Sequence, residues 1–322
     1  MQSLVNKSRP MVRENVQHLV RSMAARRASR RCLNLLYLAL PEREKVRLHG
    51  LCHALFADGQ PLIDDGRWIV RFAGKRIVLP LTATKAWQEW DAAVAILGHD
   101  LEVKITYASL LRSPRRPKLF FDVGANYGLH SLLWLAHGVP TVSFEPNPNC
   151  HDYLRRACQL NHLACDIHAL ALSDQEGETE LWFPERETWM GTTDAGVRDS
   201  LARDLPLLAM KVAQTTIDAF VSRHGCRPDL IKIDTEGNEV RVLRGSRETL
   251  RRDRPLVIVE SWPGARDGLI ALLEESGYQI APLPVRRASR PQVLDSSSFC
   301  EHPGRNFIAF PAEQLGNGRS LL

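Results

Sequence analysis

The sequence predicts an α/β protein built on a doubly wound, mostly parallel sheet, with an N-terminal α+β extension. Three observations predict it. Short β-branched and aromatic runs alternate with helical stretches throughout residues 118 to 276, the pattern of a parallel sheet covered on both faces. The first run, Lys118–Phe121, ends in Asp122, and two glycines, Gly124 and Gly128, lead into an apolar helical segment from Leu129 to Ala136. A strand, a tight turn and a helix of this kind place bare backbone and a positive helix end at the carboxyl edge of a sheet. The 322 residues are 44% hydrophobic and 25% charged, a soluble globular composition.

Taken in order, residues Glu14 to about Leu40 read as a helix, with Val16, Leu19, Val20 and Met23 at spacings of three and four and Pro41 as its stop. Eight Lys and Arg side chains against Glu14 make residues 1 to 31 basic. That helix either docks on the main domain or makes a peripheral contact with a membrane surface or an anionic polymer. Trp68–Leu81 reads as a hairpin turning at Ala73-Gly74-Lys75, and Thr84–Leu97 as an amphipathic helix stopped by Gly98. Asp100 caps a helix to Leu111, and Arg112–Pro117 reads as a linker. The expected organisation is an N-terminal helical and hairpin extension over residues 1–115 and a main α/β domain over 116–322.

Within that domain, Pro140–Glu145 is the second strand, and Asn147-Pro148 opens a helix through Leu160 with proline at its first position. Ala164–Ala169, Thr179–Phe183, Asp229–Asp234 and Pro255–Glu260 read as further strands, with Tyr278–Ile280 and Asn306–Phe310 closing the sheet. Helices are expected at Thr216–Arg223, Glu236–Arg251 with an interruption at Gly245, and Asp267–Glu275. Pro184–Ala213 has weak periodicity and reads as a long loop, a lid or a mobile segment.

The ligand follows from the turn and the second strand. Glu145 stands about 20 residues beyond Gly124, the spacing at which a carboxylate reaches a ribose diol. The nicotinamide fingerprint needs a glycine where Asn126 stands, and the Asn126 side chain obstructs a pyrophosphate. An adenosine ligand without phosphate remains, and S-adenosylmethionine fits. Asp122-Val-Gly-Ala-Asn-Tyr-Gly128, Phe144-Glu-Pro-Asn147, Ala171-Leu-Ser-Asp174 and Ile233-Asp-Thr-Glu-Gly237 together resemble the FkbM family of S-adenosylmethionine-dependent methyltransferases. The resemblance spans about Phe120 to Ser261. It implies a Rossmann-like class I methyltransferase fold and O-methylation of hydroxyls on sugars, glycans or natural products. It further implies that Asp122, Gly124, Asn126 and Gly128 line the methionine end of the cofactor, that Glu145 holds the ribose, and that Ser173 or Asp174 lies near the adenine. Asn238 departs from the family's frequent histidine.

A hydroxyl becomes a good nucleophile only as its proton leaves, so a base is needed beside the methyl donor. Asp234, at the end of the fourth strand, is the candidate base or orienting group, and Glu236 its partner or a substrate ligand. Glu236 and Glu239 fall three apart, which also suits the positive end of a helix. His130, in the first turn after the glycines, is either a second base or a packing histidine. Trp189, Met190 and Thr192 are lid candidates. Asp234 and Glu236 alone make an incomplete set for a metal, so none is expected.

Rival readings are a nicotinamide-dependent oxidoreductase and a non-catalytic adenosine-ligand-binding or assembly protein. A nucleic-acid base methyltransferase would need a proline-aromatic signature that Asp234-Thr-Glu-Gly237 lacks, and the net charge of +5 does not suggest a polyanion binder. Seven scattered cysteines without a Cys-x-x-Cys pair, and no apolar run approaching the roughly 18 residues of a membrane span, suggest a reduced, cytoplasmic setting. The expected partner is a small-molecule or glycan acceptor.

Overall fold

The computed structural model describes residues 66–81, 100–184, 190–287, 289–318 and 321–322, with six single positions before residue 45. Apart from those single positions, the expected helix at Glu14–Leu40 lies outside the described residues, as do Thr84–Leu97 and Trp189 of the lid. Two compact units are present, residues 1–101 with 155–163 and residues 102–154 with 164–322. In the first unit, β1 (Gly66–Phe72) and β2 (Lys75–Leu81) form the expected antiparallel hairpin, with Ala73 and Gly74 in the left-handed conformation that a tight turn requires. Val70, Phe72, Ile77, Leu79 and Pro80 are buried in it.

The second unit opens with α1 (Leu101–Leu110), β3 (Phe120–Val123), α2 (Leu129–Ala136), β4 (Thr141–Phe144), α3 (Pro148–Leu160), which runs on into the first unit, and β5 (Asp166–His168). It continues with β6 (Leu170–Leu172), β7 (Gly177–Pro184), α4 (Ala195–Leu201), β8 (Leu207–Thr215) and α5 (Ile217–His224). The remainder is β9 (Leu230–Ile233), α6 (Glu239–Arg244), α7 (Arg247–Asp253), β10 (Leu256–Glu260), α8 (Arg266–Glu275), β11 (Tyr278–Pro282), α9 (Ser296–Cys300) and β12 (Asn306–Pro311).

Seven strands make the main sheet in the order β11-β12-β10-β9-β3-β4-β5. All run parallel except β12, which is antiparallel to both its neighbours. The strand residues alternate faces. Phe121 and Val123 join Phe144, Ile231, Ile233, Val257 and Val259 in one buried layer, and Phe120 packs on the other face against Tyr107 and Trp134. Apolar residues on both faces are what a parallel sheet between helical layers demands. A smaller sheet, β6-β8-β7, stands beside it.

Two expectations change. The long loop over Pro184–Ala213 contains α4 and most of β8, which pairs antiparallel with β7 along its full length. Its burial alternates too weakly to announce a strand, because many β8 side chains face solvent. The helix expected from Glu236 begins only at Glu239, and Glu236 sits in the preceding turn with φ of 51°.

Candidate active site

The turn after β3 is built by close backbone approach. Gly124 and Ala125 donate their N–H groups to the Phe144 carbonyl at 3.0 Å, tying β3 to the end of β4. Gly124 has φ of +79°, and a Cβ on it would stand 1.7 Å from the Asp234 carbonyl oxygen. Only glycine lets this turn touch the end of β9. Gly128, φ +71°, ends the turn as the left-handed residue before α2. Asp122 is fully buried, and its Oδ2 accepts from the Ser131 N–H at 2.9 Å and the Ser131 hydroxyl at 2.6 Å. The Asp122 carboxylate therefore binds the first turn of α2 to the strand.

Glu145, 7% exposed, spans two turns. Its Oε2 accepts from the Asn126 N–H at 2.8 Å and its Oε1 from the Asn147 N–H at 2.7 Å. Burial pushes its carboxyl up to about 7, although the two main-chain donors pull the other way. Each oxygen keeps a further lone pair. Ser173 is buried, with its hydroxyl 3.3 Å from Asp174 Oδ1, at the end of β6. Asn238 donates to the Leu172 carbonyl at 3.0 Å, and this side chain pins the β6 end.

At the carboxyl ends of β9 and β10, carboxylate oxygens of Asp234, Glu236 and Glu260 lie within 4.8 Å of one another. The Lys232 ammonium, almost wholly buried, donates to Asp234 Oδ2 at 2.7 Å. Burial, then the charges of Asp234 and Glu239, push Glu236 up to about 8. Burial also lifts Glu260 well above the carboxylate range, followed by the Asp234 charge and a hydrogen bond to Asp234. Near neutrality the cluster thus holds protons on Glu260 and on much of Glu236 beside a salt-bridged Asp234.

The turn carrying Glu236 is held from two directions. Glu239 Oε1 accepts from the Thr235 N–H, the Thr235 hydroxyl and the Gly237 N–H at 2.9, 3.0 and 3.1 Å. From the former loop, the buried Thr192 hydroxyl donates to the Glu236 carbonyl at 2.7 Å. These bonds retain a left-handed glutamate, a conformation that costs about 1 kcal/mol or more. Glu239, beside Glu236 in the sequence reading, is a turn-holding group rather than a member of the carboxylate cluster.

The His130 ring stands edge-on to the buried Tyr107 at 5.6 Å between centroids. Of the lid candidates, Thr192 is bonded into the turn and Met190 is half-buried. Two residues escaped the sequence reading. Glu260 ends β10 next to Asp234 because β9 and β10 pair with Val259 opposite Ile233. Lys232 left a legible signal, a lysine inside the buried run Leu230-Ile-Lys-Ile233.

The strand order, the glycine turn and a carboxylate closing the second parallel strand define a class I methyltransferase. The chain belongs to the FkbM family: the model of the methyltransferase FkbM domain matches residues 122–280. Methyltransferase sdnD of Sordaria araneosa is 31% identical over 189 residues, 49% of this chain and 73% of that protein. The solved FkbM methyltransferase of Methylobacillus flagellatus KT aligns over 68% of this chain and 54% of its own, at 14% identity and a TM-score of 0.37. A SAM-dependent methyltransferase from Agrobacterium tumefaciens aligns over 78% and 71%, at 11% identity and a TM-score of 0.38.

The family's cofactor is S-adenosylmethionine, and the residues suit it. Asn126 Oδ1 and Asp122 Oδ1 are buried acceptors without a hydrogen-bond partner among the described residues, and Glu145 has lone pairs left for hydroxyl donors. Acceptors of this kind match a cationic ligand that presents an ammonium and a ribose diol. The family assignment replaces the nicotinamide alternative. Among the described residues no helix is long and apolar enough to cross a membrane.

Proposed function

We propose that the chain methylates a hydroxyl of a small molecule or glycan, with Glu236 as base and Asp234 as the group that orients it. The observation that carries this reading is the contact between the two halves of the site. The Gly124 turn abuts the Asp234 backbone, so the carboxylate cluster begins where the cofactor cradle ends. In this reading Asp122, Gly124, Asn126 and Gly128 surround the methionine end, Glu145 holds the ribose diol, and Ser173 and Asp174 border the adenine.

Bound S-adenosylmethionine supplies an electrophilic methyl group on a positive sulfur. Glu236 receives the acceptor's proton at its carboxylate, a task suited to a group whose pKa is about 8. Asp234 is held by the Lys232 ammonium and by Glu260, which favours orientation over proton transfer. In this reading His130 serves as a packing group against Tyr107.

The test is label transfer from methyl-labelled donor into cell extract. Glu236→Gln is expected to lower turnover by roughly 100-fold to 10,000-fold with S-adenosylhomocysteine affinity unchanged, and Asp234→Ala to abolish turnover as well. The wild-type rate is expected to rise with pH toward about 8, as Glu236 loses its proton. A Glu236→Gln protein with more than half the wild-type rate would end the base assignment.

A further inference from the structure

Beside the carboxylate cluster stands a pair of exposed side chains that the reaction above does not use. Trp262, two residues beyond Glu260, is 42% exposed, and the exposed Arg305 lays its guanidinium 3.7 Å from the centre of the indole ring. Guanidinium and indole thus form a cation–π pair at the surface.

The pair is held by buried machinery. The Ser261 N–H donates to the Arg305 carbonyl at 2.8 Å, so the two segments are stitched at the residues in question. Arg266 is 1% exposed and makes no ion pair among the described residues. Its Nη2 instead donates to the carbonyls of Ser261, at 3.3 Å, and Gly304, at 2.6 Å, the residues immediately before Trp262 and Arg305. Its Nη1 donates to the carbonyls of Phe299, Cys300 and His302. A guanidinium taken out of water to satisfy five carbonyls is a rigid clamp for two loops.

Charge separates Arg305 from its surroundings. Two cations act on Glu236, Lys232 and Arg305. Lys232 is engaged by Asp234, whereas Arg305 has no ion pair among the described residues. Glu260 holds its proton near neutrality, so the cluster repels an incoming anion less than three ionised carboxylates would.

We propose that Trp262 and Arg305 are the acceptor-recognition element of this site and that the acceptor is a hydroxylated ring bearing an anionic group, a carboxylate or a phosphate. The ring's apolar face lies on the indole and the anion on the free N–H edge of the guanidinium. Arg305, stacked and bidentate, suits planar oxyanions better than a lysine would. This inference rests on the methyl-transfer reading.

The experiment uses methyl-labelled S-adenosylmethionine and cell extract, with the products separated by anion exchange before and after phosphatase treatment. Label is expected in the retained fraction, and its loss from that fraction after phosphatase identifies a phosphate rather than a carboxylate. Arg305→Ala is expected to lower labelling at limiting extract by roughly 10-fold or more, with Arg305→Lys intermediate, Trp262→Ala similarly impaired, and S-adenosylhomocysteine affinity unchanged in all three. Label in the unretained neutral fraction, or wild-type labelling by Arg305→Ala, overturns the inference and leaves the methyl-transfer reading standing. No label in any fraction overturns both.

Discussion

Glu145 is the residue whose chemistry is most open to measurement. Its carboxylate is buried yet bonded by two main-chain N–H groups, and burial wins, leaving a pKa of about 7. Ribose hydroxyls donate, so they need the ionised form. Affinity for S-adenosylhomocysteine is therefore expected to fall as pH drops below about 7, by up to about tenfold per pH unit, in calorimetric titrations between pH 8 and 5.5. Glu145→Gln should bind weakly and without that slope. A flat wild-type profile would remove Glu145 from the ribose. This residue was legible in the sequence, since its distance from Gly124 is set along the chain. Glu236 was legible as a carboxylate near the site, but its left-handed backbone was not, because that depends on Thr192 and Glu239 holding the turn.

At the scale of elements, the two glycines of the first turn separate in a way the motif does not reveal. A methyl on Gly124 meets the Asp234 carbonyl, which is backbone and cannot yield, while a methyl on Gly128 meets the Leu154 side chain at 2.5 Å. Both positions have positive φ, so each alanine is strained by about 1 kcal/mol. Gly124→Ala should additionally push β3 from β9, abolishing cofactor binding or folding. Gly128→Ala should remain folded, with a modest loss of melting temperature and measurable cofactor affinity. Scanning fluorimetry with and without S-adenosylhomocysteine distinguishes them, and equal behaviour would refute the contrast. The strands of the main sheet were readable because both faces are apolar. The strand Leu207–Thr215 was not, because many of its side chains face solvent and it lacks a clean alternation. The turn before Glu239 likewise looked helical, since acidic residues three apart suit a helix start and a capped turn equally.

For the whole molecule, gathering carboxylates has a consequence for stability. Glu145, Glu236 and Glu260 are all raised above the ordinary 4.5 by burial, so between pH 4.5 and about 8 the folded chain binds more protons than the unfolded chain. Their contribution to stability is fully present below pH 4.5 and is lost as pH rises through the folded values, near 7 for Glu145 and near 8 for Glu236. Ligand-free melting temperature is thus expected to decline from pH 6 to 9. Glu236→Gln should flatten the decline and melt higher than the wild type at pH 9, by about 2 to 4 °C for each kcal/mol regained. A variant that melts lower at pH 9 would contradict the burial argument.

Taken by itself, the sequence determined what depends on neighbours along the chain. The alternation of strand and helix, the glycine turn after Phe121, the spacing to Glu145 and the acid at the end of β9 are all local patterns of period, size and φ preference. The tertiary structure decided which distant groups share one volume. Glu260 joins Asp234 because β9 and β10 are adjacent in the sheet, and Arg305 reaches Trp262 because β12 returns antiparallel beside β10. Strand order is a property of the packed sheet, fixed by which apolar faces can be buried together, and no local pattern encodes it.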